Sequence, residues 1–102
     1  MQEWSRKELD EVIENNEVVL LYIYTPMCGT CQLASKMLTI ASELLSDHPL
    51  GKINLNYQPE IAEHWGIESV PCLLIIKKEN LIRKIYAFHS VPHLIENIKS
   101  TI

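Results

Sequence analysis

The residues Cys28-Gly29-Thr30-Cys31 stand between a nearly continuous apolar run, Val18 to Tyr24, and a stretch with helical apolar spacing. Such an order restricts the chain here to a strand, a short loop and a helix, with Cys28 at the helix entrance. The free backbone N–H groups at that entrance, together with the positive end of the helix dipole, favour a thiolate over a thiol. The i, i+3 spacing brings Cys31 back to the sulfur of Cys28. The pair is therefore suited to cycle between dithiol and disulfide, one sulfur activated and the other placed to resolve a mixed disulfide.

Two cysteines two residues apart also occur in zinc sites, which need about four nitrogen or sulfur ligands. The only further cysteine is Cys72, and there is no second C-x-x-C. Between a strand and a helix the pair reads as a redox motif, and no metal is expected.

The chain has 102 residues, 47% of them hydrophobic, and a formal net charge of −4. That is enough for one core and too little for two, so a single domain over residues 1–102 is expected. An acidic balance argues against nonspecific nucleic-acid binding, which relies on a basic surface. No apolar run approaches the roughly 20 residues of a membrane span. The charged start, Met1 to Glu8, has no apolar core of a secretory signal. A cytoplasmic monomer is expected, and in a reducing compartment a surface C-x-x-C is catalytic more often than structural.

Ser5 and Glu8 form a capping-box pattern ahead of Leu9, Val12 and Ile13, with Asn15-Asn16 as a stop. Val18 to Tyr24 reads as a central strand buried on both faces. Leu33, Met37, Leu38, Ala41, Leu44 and Leu45 read as one apolar stripe of a long helix closed by Ser46 to Pro49. Lys52 to Asn56 alternates as a strand. Pro59 suits the start of a short helix and Gly66 its C-terminal cap. Cys72 to Ile76 is a second apolar strand. Lys77 to Asn80 reads as a hairpin turn with Asn80 at positive φ, and Leu81 to Ala87 pairs back. Ser90 caps a last helix bearing Leu94, Ile95 and Ile98. The order αβαβαββα implies parallel pairing first and an antiparallel hairpin last.

In this order the chain resembles the thioredoxin family over nearly its whole length. The likeness rests on Leu21 to Cys31, on Lys52 to Asn56, and on Trp65-Gly66-Ile67-Glu68-Ser69-Val70-Pro71-Cys72-Leu73. It implies an α/β thioredoxin-like fold, a mixed central sheet flanked by helices, with the first strand reduced to a stub near Trp4. It also implies a cis Val70–Pro71 bond, with Pro71 facing the two cysteines and the Val70 backbone free to pair with an extended peptide. Met27 stands where the family has tryptophan, Thr30 where it has proline, Tyr22 where it has a buried acid, and Ala87 where it has glycine.

The implied activity is thiol–disulfide exchange on protein or low-molecular-weight disulfides, with Cys28 and Cys31 catalytic. Val70, Pro71, Met27, Gly29 and Thr30 would contact substrate, with Pro26 beside Met27 in an apolar lip. An external reductase or thiol reductant must restore the dithiol. No cofactor is expected, since no G-x-G-x-x-G is present. Lys52 matches a family lysine and either lowers the cysteine pKa values or is a plain strand-edge lysine. Tyr22 reads first as packing and second as a proton relay. Cys72 would lie near the motif as a third redox group, or be an ordinary buried thiol. His48, His64, His89 and His93 read as unpartnered surface residues, and Trp65 as packing against the long helix. Two other classes stay open: a glutaredoxin-like enzyme acting on a thiol cofactor, and a binding module that does not turn over.

Overall fold

The local signals at the N-terminus translate directly into structure. In the computed structural model, which describes residues 1–102, Ser5 Oγ accepts from the Glu8 N–H at 3.1 Å and Glu8 Oε1 accepts from the Ser5 N–H at 3.1 Å. This reciprocal cap starts helix α1, Arg6–Asn15, which follows a two-residue strand β1, Gln2–Glu3. Then come β2 (Val18–Tyr24), α2 (Gly29–Ser42), β3 (Leu50–Asn54), α3 (Glu60–Trp65), β4 (Cys72–Lys77), β5 (Asn80–Ile85) and α4 (Val91–Thr101). Gly66, at φ 63°, caps α3 in the left-handed region that glycine enters without a steric cost. Ser90 caps α4, its hydroxyl accepting from the His93 N–H at 3.2 Å.

The five strands form one mixed sheet in the order β1-β3-β2-β4-β5. β3 runs parallel to both β1 and β2, whereas β4 is antiparallel to β2 and β5 to β4. Because side chains alternate across a strand, β2 feeds two cores. Val18, Leu20 and Tyr22 join Ala34, Leu38 and Ala41 of α2 and Leu94 and Ile98 of α4 on one face. Val19, Leu21 and Ile23 join Leu9 of α1 and Ile61 of α3 on the other. A strand buried on both faces must be apolar throughout, which explains its uninterrupted run. Arg83 of β5 ties α4 to the sheet, donating to Asn97 Oδ1 and Thr101 Oγ1 at 2.9 Å each. No helix is long and apolar enough to cross a membrane.

Four sequence expectations are corrected. The hairpin turns on Lys78 (φ 51°) and Glu79 (φ 68°), and Asn80 opens β5 instead; two consecutive positive φ values match the twist of a two-residue hairpin. β3 begins at Leu50 rather than Lys52 and includes Gly51. α2 ends at Ser42, so its cap falls at Glu43; of the expected stripe, Leu33 and Leu44 point outward while Ala34 takes the core side. Trp65 packs on the α1 and α3 face, with the Arg6 guanidinium 6.0 Å above its ring, and not on α2.

Candidate active site

Cys28 is the N-cap of α2, with extended backbone (φ −97°, ψ 108°), and its sulfur accepts from the Cys31 N–H at 3.2 Å. The two cysteines form a disulfide across a Cα–Cα distance of 5.2 Å. Cys31, inside the helix, is only 3% exposed, whereas Cys28 is half-buried at the rim. The helix entrance thus leaves Cys28 half-buried at the rim and Cys31 buried beneath it. With no S–H in the disulfide, the Thr30 hydroxyl is the donor in its 3.3 Å contact with Cys28 Sγ. Gly29 is exposed beside it, with open space around its Cα.

The loop before β4 approaches the same sulfur. The Val70–Pro71 bond is cis, and Cys28 Sγ lies 3.9 Å from the Val70 carbonyl oxygen. Pro71, Thr30, Leu33, Met37, Phe88 and His89 line a groove of about 280 Å³ along this side. Met27 projects into solvent at 93% exposure. Pro26 stands on the opposite side, at a cavity of about 390 Å³ that also touches Cys31, Tyr22, Tyr24, Lys36 and Lys52.

Tyr22, standing where the family has an acid, donates its hydroxyl to the Cys31 carbonyl at 2.6 Å, and its ring stacks on Tyr24 at 5.9 Å. Burial pushes its pKa well above the ordinary tyrosine value. The phenol therefore ties β2 to the first turn of α2, and its proton is directed at a carbonyl, not at a sulfur. Tyr24 is pushed up to about 12, first by burial and then by its 2.6 Å hydrogen bond to Glu3. The Lys52 ammonium faces the Tyr24 ring at 5.3 Å, on the wall of the cavity that reaches Cys31.

Cys72 is fully buried on the sheet face opposite α2, among Leu74, Ile76 and Leu9. Alternation along β4 sends its side chain away from the motif although it follows Pro71 directly, which corrects its placement beside the motif. Burial raises its pKa from 9.0 to about 11, against smaller lowering effects from Lys84 and a Tyr86 hydrogen bond. Below pH 9 both folded and unfolded chains keep this proton. Between pH 9 and 11 only the unfolded thiol releases it, so stability is lost as pH rises through that window. The expected loss is about 2–3 kcal/mol, at about 1.4 kcal/mol per pH unit. Urea unfolding at pH 8 and 10.5 checks it: Cys72→Ala should lose less stability between the two than the parent chain. Equal losses would assign the alkaline sensitivity to other groups.

Sequence reading missed Tyr86, Phe88 and His89 as groove residues. They follow β5, far from the motif in sequence, and carry no periodic signal of their own. Phe88 is 5% exposed, and its ring lies 6.2 Å from that of Tyr22. His89 and His93 are not isolated either: their rings meet edge to face at 4.7 Å.

A cysteine pair joined as a disulfide at the cap of a helix leaving a central strand, with one cysteine half-buried at the rim and a proline loop across from it, defines a site for thiol–disulfide exchange. Residues 1–100 match the Thioredoxin family, and the chain belongs to that family. Its relatives include the thioredoxin-like protein YusE of Bacillus subtilis, 50% identical over 99 residues, covering 97% of this chain and 92% of that one. The thioredoxin of Pyropia yezoensis is 43% identical over 68 residues, covering 66% of this chain and 64% of that one. Among solved structures, a mutant thioredoxin from Halobacterium salinarum superposes with a TM-score of 0.85 at 25% identity, covering 99% of this chain and 88% of that one. Oxidised mitochondrial thioredoxin 3 from Saccharomyces cerevisiae gives 0.86 at 23%, covering 98% and 94%, and supports the fold. The protein is a thiol–disulfide oxidoreductase.

Proposed function

We propose that residues 1–102 work as one domain that reduces disulfides of proteins or small thiols, with Cys28 as nucleophile and Cys31 as resolving thiol. The observation that carries the assignment is the asymmetry of burial, Cys28 at the rim and Cys31 at 3% exposure. The Cys28 thiolate attacks one sulfur of a substrate disulfide, forms a mixed disulfide and expels the other sulfur as a thiolate. Cys31, once deprotonated, attacks Cys28 Sγ, expels the second substrate thiolate and leaves the Cys28–Cys31 disulfide. The pair has then given two electrons, and an external dithiol or reductase returns them. Val70, Pro71, Met27, Gly29 and Thr30 form the contact surface for the substrate chain. The Val70 carbonyl offers a backbone partner, and Thr30 and Pro71 frame the groove. Lys52 and Tyr22 act from the Cys31 side, Lys52 as a cavity-wall cation and Tyr22 as a tether of the helix turn. The reaction suits a cytoplasmic monomer, whose surroundings supply the reductant.

Turnover of disulfide substrates tests this reading, and redox titration tests the parts given to Thr30 and Tyr22. The Thr30 hydroxyl near Cys28 Sγ stabilises a thiolate there, and Tyr22 in place of an acid removes a charge that opposes it. Both favour the dithiol and raise the potential. The expected value lies above the ~−270 mV of thioredoxin and near the roughly −200 to −230 mV of glutaredoxins. Equilibration with glutathione at pH 7 measures it, and a value at or below thioredoxin's rejects the argument. Thr30→Pro should lower the potential if the hydroxyl is the cause. Turnover confined to mixed disulfides of a small thiol would move the assignment to a glutaredoxin-like enzyme.

A further inference from the structure

Helix α2 carries a second apolar line beside the one that meets the sheet, and the chain covers it only at Met37, which is half-buried against the core. Ala34, Leu38, Ala41 and Leu45 meet the sheet. Leu33, Met37, Ile40 and Leu44 recur at i, i+4, i+7 and i+11 and so lie along a second line. Leu33 is 63% exposed, Ile40 55% and Leu44, in the turn after the helix, 66%. A helix apolar on two sides is ordinarily buried on both, and contiguous exposed apolar surface marks an interaction site.

This stripe is continuous with the redox site. Leu33 and Met37 line the groove shared with Thr30 and Pro71. At the far end, Leu44 borders a second depression with Val91 and Ile95 of α4. This depression, of about 750 Å³, lies beside the contact between α2 and α4. At about 1.5 Å per residue, the line from Leu33 to Leu44 is long enough for roughly three turns of a partner helix.

We propose that the outer face of α2 docks an amphipathic helix of a disulfide-bearing protein, laid along Leu33 to Leu44 so that the partner's own disulfide reaches Cys28. The proposal rests on the exchange reading above. A second copy of this chain is the weaker occupant: seated here it would cover Leu33 and Met37 and close the groove beside the reactive sulfur. A substrate needs that closeness only while it reacts. Recognition by apolar anchors at these spacings follows the helix-in-groove mode.

The probe is a helical peptide of about 15 residues with leucines at i, i+4, i+7 and i+11 and a terminal cysteine held as a mixed disulfide with nitrothiobenzoate. Its twin has glutamine at the four leucine positions. With dithiothreitol as reductant, the native chain should show a KM for the leucine peptide at least about tenfold below that for the twin. In the double variant Ile40→Gln, Leu44→Gln this preference should vanish, while reduction of the free bis-nitrothiobenzoate disulfide keeps its rate. Equal KM values for the two peptides with the native chain, or an unchanged preference in the variant, overturn the docking surface.

Fluorescence titration with a cysteine-free leucine peptide reads docking without chemistry. Saturable binding without reduction of any disulfide would leave the docking surface standing and reject the exchange reading. Reduction without binding would do the reverse. Self-association of the native chain in sedimentation, lost in the variant, would assign the stripe to a second copy and overturn the substrate assignment.

Discussion

Cys28→Ser should bring reduction of both protein and small disulfides down to the uncatalysed background, with the fold unchanged. A serine hydroxyl at this half-buried cap cannot supply the thiolate on which exchange depends. Cys31→Ser should behave differently. The first attack remains available, but no sulfur follows it, so the protein should accumulate as a mixed disulfide with its substrate. Mass spectrometry would detect the adduct, and dithiothreitol would remove it. In the reduced native chain, iodoacetamide should label Cys28 first. Cys31 is 3% exposed. Cys72 is fully buried and raised to about 11, which leaves about one thiolate in ten thousand at pH 7. Preferential labelling of Cys72, or residual turnover in Cys28→Ser, would overturn the assignment of roles.

Gly51→Ala should be among the most damaging single substitutions outside the motif. A Cβ at Gly51 would fall inside the indole of Trp4, against Cδ2 and Cε2. Trp4 is 5% exposed, and its backbone N–H donates to the Lys52 carbonyl at 2.9 Å, so a buried ring on an anchored backbone has little room to move aside. Overpacking typically costs 1–3 kcal/mol and occasionally more; a clash with a fixed aromatic ring belongs at the upper end, about 3 kcal/mol. At about 4–8 °C per kcal/mol, the Tm should fall by roughly 12–24 °C. Calorimetry measures this directly. Trp4→Leu makes room, so the double variant should be more stable than the sum of the two single losses allows. Strict additivity would mean that the two residues do not meet.

Gly51 also shows where local reading stops. It lies two residues after Pro49, and the alternating pattern places the strand only from Lys52 onward. Only the docking of Trp4, 47 positions earlier in the chain, makes a residue without a side chain necessary inside β3. The same limit applies to α2. Its apolar residues are visible in the sequence, but six of them read as one stripe. Which of them face the sheet depends on the rotation of the helix against β2, and that rotation turns Leu33 and Leu44 outward.

What the sequence determined by itself are the features set by near neighbours. The Ser5 and Glu8 cap, the Val18–Tyr24 strand, the Gly66 helix end and the C-x-x-C at a helix entrance all depend on hydrogen bonds or periodicity within a few residues. The redox chemistry is legible for the same reason, because the cap, the dipole and both cysteines lie within four positions. Tertiary structure alone decided the remainder. It sends Cys72 to the sheet face opposite α2 and its cysteine pair, because β4 alternates inside a sheet packed on both sides. It brings Phe88 and His89 to the groove through the pairing of β5 with β4, and it aims the Tyr22 hydroxyl at the Cys31 carbonyl. These contacts join residues distant in the chain, and their geometry follows from how the helices pack on the sheet, which no local pattern encodes.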